Sequence, residues 1–312
     1  MSIDKILILG QTSAELGLIG GLTVLALFLS YSMLNVCDLS TDGCFTLGAA
    51  VGTIVAIAGS PWLSIPAAML AGSLSGFITA ALQTRMGVQS LLAGIVVNTG
   101  LYSVNLLITG NKAALNMNKS ATVFTMMKDA LKDTFLAKQY ILIVALIAVI
   151  IVAVMLCLFL RTKLGLAIRA TGSNTSMVKS SSINPTFTTT VGLCVSGSIT
   201  ALSGCLMAQQ QKNFDINMGQ GIVTVALASL LIGGVFFSKY KPVPLRAFGA
   251  VLGAIIFRIV YALALRLDMP AFMLKLVSAV IVVLAISGPY LRTQIPVMMR
   301  RWKNAREGRP AA

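Results

Sequence analysis

The stretch RTKLGLAIRATGSNTSMVKSSSINPT, residues 161–186, is a polar and basic interruption between two long apolar segments. It carries four positive side chains and no acidic residue. The flanking segments are long enough to cross a bilayer as helices, whereas this stretch is too polar to enter one. We therefore predict a polytopic membrane protein in which a positively charged loop on the inner face joins two blocks of helices.

The composition excludes an ordinary soluble protein. Of the 312 residues, 57% are hydrophobic and 11% are charged, against about 25% charged in soluble domains. The net charge is +15, but the positive residues lie between apolar segments and in the tail. This pattern is typical of loops that contact anionic lipid, so membrane lipid is an expected partner and nucleic acid is not.

The five cysteines form no C-x-x-C pair, and the chain has no histidine. We therefore expect no metal site and no disulfide framework. The first apolar segment lacks a signal-peptidase cleavage site, so we expect it to remain in the mature protein.

Nine apolar segments predict an all-α fold with about nine membrane spans, within a range of eight to ten. In a nine-span count, the basic residues of 161–186, 238–246 and the tail 291–312 all fall on one side, which we assign to the cytoplasm. The N-terminus is then outside. The loop 110–138 does not follow the rule, because it carries five lysines and falls outside. The predicted spans are 16–34, 45–60, 63–83, 88–109, 139–160, 187–208, 221–237, 245–265 and 270–290.

The spans divide as four, one and four within a single transmembrane domain, 1–312. The first block is 16–109, the linker span is 139–160, and the second block is 187–290. A single linker span forces the blocks into opposite orientations, which is the inverted-repeat arrangement of many transporters. An acid, an aliphatic residue and glycine precede the second helix of each block, beginning at Asp38 and at Asp215.

The segment 35–43 is the first candidate for a transport path. Ser40, Thr41 and Asp42 have the side chains that cap a helix start, and Asp38 lies just before them. An interrupted helix at membrane depth is tolerated where it lines protein or a watery cavity. The alternative is an ordinary capped loop at the membrane interface.

Other polar residues near or within the spans are also candidates. Asp215 and Gln209–Gln211 fall in a predicted outer loop and are assigned to the path with less support. Asn98 and Asn105 lie two turns apart on one helix face, where they either line the path or hydrogen-bond a neighbouring helix. Arg258 is deep in a span, where a charge is either functional or extends to the membrane surface, and it is a candidate for the path or for a dimer interface.

The basic loop contains its own predicted helix over about 175–182. Ser173 or Asn174 caps its start, and Asn184-Pro185 ends it. A short helix lying across the membrane face is suited to a groove on a partner; the alternative is a plain connector on the lipid surface. The chain has no G-x-x-x-x-G-K-[ST] motif, no histidine base and no paired acids, so we do not expect an enzyme.

Four stretches resemble the permease subunit of bacterial ABC importers of the branched-chain amino-acid and ribose class. More narrowly, they are similar to the branch named tryptophan or tyrosine transport permeases. The stretches stand in the family's order, and the resemblance extends over 16–290. They are DLSTDGCFTLGAAVG (38–52), LLAGIVVNTGLYSVNLLITG (91–110), RATGSN (169–174) and DINMGQGIVTVALASLLIGG (215–234).

The resemblance implies a type II importer permease with inverted repeats, which forms a homodimer and binds two cytoplasmic ATPase subunits. ATP and Mg²⁺ are then bound by those subunits, and an extracytoplasmic lipoprotein delivers the substrate. The resemblance also places an ATPase-coupling helix in the basic loop, where KSSSINP (179–185) departs from the family's alanine- and glycine-rich segment. The implied coupling residues are Arg169, Gly172, Ser173, Asn174, Met177, Ser181 and Ser182.

We therefore expect the transmembrane subunit of an ATP-driven importer in the bacterial plasma membrane, moving a small solute by alternating access. The resemblance suggests an amino acid and, through its narrower branch, an aromatic one. The alternative is a secondary transporter or channel driven by an ion gradient, which needs acids deep in the spans. The candidate acids Asp38, Asp42 and Asp215 lie at span edges instead. A membrane enzyme is a third class, and the sequence shows no reactive constellation for it.

Overall fold

A computed structural model describes residues 3–130, 139–237 and 242–266, together with 276, 279–283 and 287. This part of the chain is mostly helical, as predicted, with one short pair of strands. The helices are α1 Ile3–Leu27, α2 Thr41–Ile57, α3 Pro61–Thr84, α4 Ser90–Ile108, α5 Val123–Ala130, α6 Tyr140–Arg161, α7 Lys163–Ser173, α8 Thr175–Ser180, α9 Pro185–Gln211, α10 Ile222–Phe236 and α11 Val243–Arg266; the strands are β1 Ala114–Asn116 and β2 Asn213–Asp215.

Six helices in the described ranges are long and apolar enough to cross a membrane: α1 with its extension, α3, α4, α6, α9 and α11. Helices α2 and α10 are apolar but have only 17 and 15 residues. At 1.5 Å per residue they are about 26 and 23 Å long, shorter than a hydrocarbon core of about 30 Å. Eight predicted segments thus correspond to helices. The ninth, 270–290, lies almost wholly outside the described residues.

The first span ends in a π-helical turn, Phe28–Met33, which continues α1. Asn35 then adopts a left-handed conformation, with φ of 57°, which asparagine tolerates better than most residues. The chain returns to the inside of the bundle after this bend, because Asp38 and Ser40 are both buried. Single π-turns often occur at functional sites, and this one leads directly into α2.

Helix α9 forms the centre of the bundle and packs against α1, α2 and α3. The helices approach closely at glycines. A Cβ atom on Gly72 of α3 would overlap the backbone of Gly197, and one on Gly48 of α2 would overlap the backbone of Ala201. Small residues permit such close packing where lipid supplies no hydrophobic driving force.

Helices α1 and α11 form a second close pair. Gly17 of α1 faces Ile255, and Gly21 faces Val251. Helix α10 packs on α11 in turn. The large buried side chains of α1, α6 and α9 complete the main apolar core.

The strands connect two distant loops. Strand β1 pairs with β2 in antiparallel register, with Ala114 opposite Asp215 and Leu115 opposite Phe214. The segments that follow α4 and α9 therefore lie at the same end of the bundle. The predicted topology also puts both segments on one side of the membrane.

Candidate functional site

Asp42 joins the start of α2 to the start of α10. Its carboxylate accepts hydrogen bonds from the backbone N–H of Gly221 at 3.0 Å and of Val223 at 2.8 Å. The first N–H groups of a helix lack partners within that helix, and the helix dipole favours a negative charge beside them. Asp42 therefore caps a helix that begins about 180 residues further along the chain.

The predicted side-chain caps of α2 act elsewhere, so that prediction is wrong. Ser40 occupies the cap position but makes no side-chain capping bond. The hydroxyl groups of Ser40 and Thr41 instead donate to Asp38, at its Oδ1 atom and its carbonyl oxygen respectively. The carboxylate of Asp42 accepts hydrogen bonds from α10 instead. Helix α2 starts with the backbone bond from the Cys44 N–H to the Ser40 carbonyl, at 2.9 Å.

Asp38 is a buried acid, 4% exposed, in the loop before α2. Its Oδ1 atom accepts the N–H and the hydroxyl of Ser40 at 2.8 and 2.6 Å. Burial raises the pKa of the Asp38 carboxyl above its ordinary value, and the two bonds from Ser40 partly oppose this. The Thr79 hydroxyl of α3 donates to Ser40 Oγ at 3.1 Å, so the loop is tied to the bundle.

The two asparagines of α4 share one helix face, as predicted, and both face Gly43 at the start of α2. Asn105 is buried, and its Nδ2 donates to the Gly43 carbonyl at 3.3 Å. A Cβ atom on Gly43 would lie 2.6 Å from Asn98 Oδ1. The contact favours hydrogen bonding between helices for Asn105; a role in a path stays a prediction for both residues.

Asp215 is not part of this cluster. It is exposed, and its Oδ1 accepts the Asn217 N–H at 2.7 Å. Asp38 makes the same two-residue turn with Ser40. Asp215 thus makes a local turn. The structure brings the other five of the six predicted path residues together around the start of α2: Asp38, Thr41, Asp42, Asn98 and Asn105.

The connector between α6 and α9 folds into two helices, where the sequence predicted one. Helix α8 corresponds to the predicted helix, and α7 was missed. The signal for α7 is Thr162, whose hydroxyl accepts the Gly165 N–H at 3.2 Å. Threonine is a common N-cap residue, so a second helix start was present in the sequence.

Asn174 caps α8, as predicted: its Oδ1 accepts the Met177 N–H at 3.0 Å. Ser173 is instead the last residue of α7, and its hydroxyl donates to the Arg169 carbonyl at 3.0 Å. Ser182 has φ of 59°, which turns the chain away from α8. The short helix is therefore defined on both sides by its own sequence.

The connector has an outer and an inner face. Met177 is 64% exposed, whereas Val178 beside it and Ile168 of α7 are buried. Arg169 and Gly172 are partly buried against the bundle. The remaining predicted coupling residues are all exposed: Ser173, Asn174, Met177, Ser181 and Ser182.

Gly172 places the connector directly on the end of the first span. A Cβ atom at Gly172 would overlap the Met33 carbonyl oxygen of the π-turn. The hydroxyl groups of Thr171 and Thr188 lie 2.8 Å apart, which joins α7 to α9. A displacement of α7 therefore acts on both the π-turn and α9 through direct contacts.

Gln209 was assigned to an outer loop, and this is wrong. It lies in α9 and is fully buried. Its Nε2 donates to Ser64 Oγ at 2.7 Å, and its Oε1 accepts the Val123 N–H at 2.9 Å. Hydropathy ends the segment at 208, but glutamine is a good helix former, and an amide with partners can be buried.

Within the described ranges, no group of three or more His, Cys, Asp or Glu side chains is placed to hold a metal ion. The described site consists of helix junctions held by hydrogen bonds and close glycine contacts. Such junctions are suited to relative movement of helices.

The six long apolar helices define a multi-pass membrane protein. Residues 12–286 match the family described as "Branched-chain amino acid transport system / permease component". The chain belongs to this family, and the predicted permease component of an import system is confirmed. The family is one of transport components rather than of known enzymes.

Named relatives agree with this assignment. The chain is 32% identical to a tyrosine transport system permease protein of Clostridioides difficile, over 85% of this chain and 86% of the relative. It is 26% identical to the ribose import permease protein RbsC of Haemophilus influenzae, over 94% and 87%. It is also 26% identical to the fructose import permease protein FruF of Bifidobacterium longum, over 80% and 72%. No solved structure matches the chain.

Proposed function

We propose that this chain is the membrane-spanning subunit of an ATP-driven importer that takes up an amino acid by alternating access. Two copies form the membrane unit, two cytoplasmic ATPase subunits bind ATP and Mg²⁺, and an extracytoplasmic lipoprotein delivers the substrate. The unit lies in the bacterial plasma membrane with the C-terminus in the cytoplasm. The name of the tyrosine permease relative supports an aromatic amino acid.

The contact between Gly172 and Met33 carries this proposal. The exposed helix α8 offers Met177 to a partner, while Gly172 on α7 rests on the π-turn of the first span. A push on the connector is thus transmitted to the loop that presents Asp42 to α10. A chain that only spanned the membrane would have no need of such a rigid connection between a surface helix and its interior.

The packing also supports an inverted repeat. Helix α3 packs on α9, and α11 packs on α1. If α1–α4 and α9–α11 are equivalent blocks, each of these contacts joins the first helix of one block to the third helix of the other. Asp38 and Asp215 make the same turn before α2 and α10. Asp42 then bridges the starts of these two equivalent helices, as expected for a junction between repeats that move against each other.

Copurification tests the assignment. An ABC ATPase subunit coexpressed with the chain should extract with it as a complex whose ATP hydrolysis increases when substrate-loaded binding protein is added. The double variant Arg169→Ala/Asn174→Ala should insert normally and lose most of this stimulation. The matched control is Arg85→Ala/Gln89→Ala, which changes an exposed arginine and an exposed amide between α3 and α4, on the same side of the predicted topology as the connector.

Uptake by the chain alone, driven by an ion gradient and without any ATPase, would contradict the proposal and support a secondary transporter. Equal loss of stimulation in both double variants would remove the coupling role from the connector.

A further inference from the structure

A cavity of about 520 Å³ opens between α2, α9, α10 and α11. Gln211, Gln220 and Tyr261 contribute polar groups to it. Phe45 and Phe257 contribute apolar walls. Phe257 and Tyr261 stack with their ring centroids 6.4 Å apart and their planes at 22°. The cavity is larger than a single amino acid requires and combines aromatic walls with a few polar groups, as ligand sites usually do.

Arg258 lines this cavity and a small one that shares Phe45, Met207 and Ile222 with it. It lies 15 residues into α11, about 22 Å from the helix start, and so within the span. The guanidinium extends over Gly20 of α1, where a Cβ atom would lie 3.8 Å from Nη2. The guanidinium therefore lies against α1 at ordinary contact distance.

The charge of Arg258 has no carboxylate partner among the described residues; its ionisable neighbour is the Tyr261 phenol. A cation inside a membrane span is costly and is usually functional. Arginine also presents a planar fork of donors that matches a carboxylate. The small cavity also contains the buried Thr23 hydroxyl, which has no hydrogen-bond partner among the described residues.

We propose that this cavity is the substrate site within the membrane, and that Arg258 binds the carboxylate of an amino acid. The stacked Phe257 and Tyr261 rings, together with Phe45, receive the apolar side chain. This inference rests on the proposed import function and narrows its substrate class. A neutral sugar has no group that needs a buried cation, so the site separates this chain from relatives named for ribose and fructose import.

Two measurements test the site, one on the purified permease and one on the assembled importer. The first is thermal unfolding of the purified permease with L-tyrosine, L-tyrosinamide or D-ribose. We expect L-tyrosine to raise the midpoint, and the other two probes, which lack a carboxylate, to leave it unchanged. Arg258→Gln should abolish the shift, and Arg258→Lys, which keeps the charge without the fork, should retain part of it.

The second measurement is ATP-dependent uptake of L-tyrosine into proteoliposomes that contain the permease, its ATPase and its binding protein. Arg258→Gln should raise KM at least tenfold. The control is Arg85→Gln, because Arg85 lies at the end of α3 and outside both cavities. Its KM should match that of the unsubstituted chain. The unliganded unfolding midpoint of each variant reports whether it folds.

The outcomes separate this inference from the function on which it rests. Unchanged uptake kinetics and unchanged L-tyrosine stabilisation in a folded Arg258→Gln variant would overturn the site while leaving the importer intact. ATP-dependent uptake of D-ribose alone would overturn the site and the proposed amino-acid substrate, and would leave the ATP-driven importer standing. Absence of any ATP-dependent uptake would overturn the proposed function, and the unfolding measurement would then decide the site by itself.

Discussion

The carboxylate of Asp42, at the start of α2, accepts a hydrogen bond from the backbone N–H of Val223, in the first turn of α10, at 2.8 Å. The two residues belong to different halves of the chain. Since each helix is too short to span the membrane by itself, the bond joins two helix starts inside the protein. This junction is a natural point at which the halves separate or close.

Asp42→Ala should destabilise the junction. The change leaves the N–H groups of Gly221 and Val223 without their acceptor. Gly221 is exposed to solvent, but Val223 is buried, and an unpaired buried donor costs about 1–3 kcal/mol. We expect the unfolding midpoint in detergent to fall by several degrees. Asp42→Asn keeps one acceptor oxygen but loses the charge. Its unfolding midpoint should lie between those of Asp42→Ala and the unsubstituted chain.

Asp215→Ala is the matched control for Asp42. In the described part of the chain, its exposed carboxylate accepts the turn bond from Asn217, so the unfolding midpoint of Asp215→Ala should change less than that of Asp42→Ala. An equal fall for Asp42→Ala and Asp215→Ala would show that the bond to α10 contributes nothing specific.

Close packing at Gly204 of α9 gives a second prediction. A Cβ atom there would overlap the Phe45 carbonyl oxygen of α2, and backbone atoms cannot rotate away as a side chain does. Gly204→Ala should therefore displace α2 from α9 at a cost of about 1–3 kcal/mol. The measurement is the yield and unfolding midpoint of a fluorescent fusion on size exclusion.

Gly234→Ala is the control, because nothing lies within 4 Å of a Cβ atom at that position of α10. Alanine favours a helix over glycine by about 1 kcal/mol, so this variant should match or exceed the stability of the unsubstituted chain. Two substitutions of the same kind are thus expected to have opposite signs. A Gly204→Ala protein as stable as Gly234→Ala would show that α2 and α9 are not packed at contact distance.

Local signals were sufficient for much of the fold. Hydropathy located eight segments that the structure shows as helices, because each span is apolar along its own length. Asn174 was identified as a cap from its position before a helix, since the N–H that it binds, that of Met177, is only three residues away. Such features depend on neighbours in sequence, which a single chain displays.

The site itself depends on neighbours in space. The sequence around Asp42 contains every cue for capping its own helix, yet its partners are Gly221 and Val223. Because Gln209 is polar, the sequence predicts an external position for it. The side chain is buried instead, because Ser64 and Val123 supply hydrogen-bond partners from two other segments. No local pattern specifies a contact 86 or 180 residues away, so these assignments required the fold.

The buried amide of Gln209 gives a third prediction. Gln209→Leu keeps the approximate volume but leaves the Val123 N–H without its acceptor, at a cost of about 1–3 kcal/mol. We expect a clear fall in the unfolding midpoint and faster hydrogen exchange at the Val123 amide. Both readouts follow from the same lost bond.

Gln83 of α3 provides the opposite case. Its Nε2 is buried without a partner in the described part of the chain, so Gln83→Leu removes an unpaired polar group and should be neutral or stabilising. If Gln83→Leu destabilises as much as Gln209→Leu, the cost comes from side-chain shape and the hydrogen bonds of Gln209 are not responsible.

Single-cysteine labelling tests the orientation of the chain and with it the position of the connector. Met177→Cys on α8 and Lys119→Cys beyond α4 are both at exposed positions, at opposite ends of the proposed topology. A membrane-impermeant maleimide added to intact spheroplasts should modify Lys119→Cys and spare Met177→Cys. After the membrane is opened, both should react. Both variants are made in a background in which all five native cysteines are replaced by alanine, because Cys37, Cys157 and Cys194 are partly exposed. That background is the blank. Reaction of Met177→Cys from outside would put the basic connector on the wrong side for an ATPase, since ATP is available only in the cytoplasm, and the coupling role of Gly172 and Met33 would then be lost.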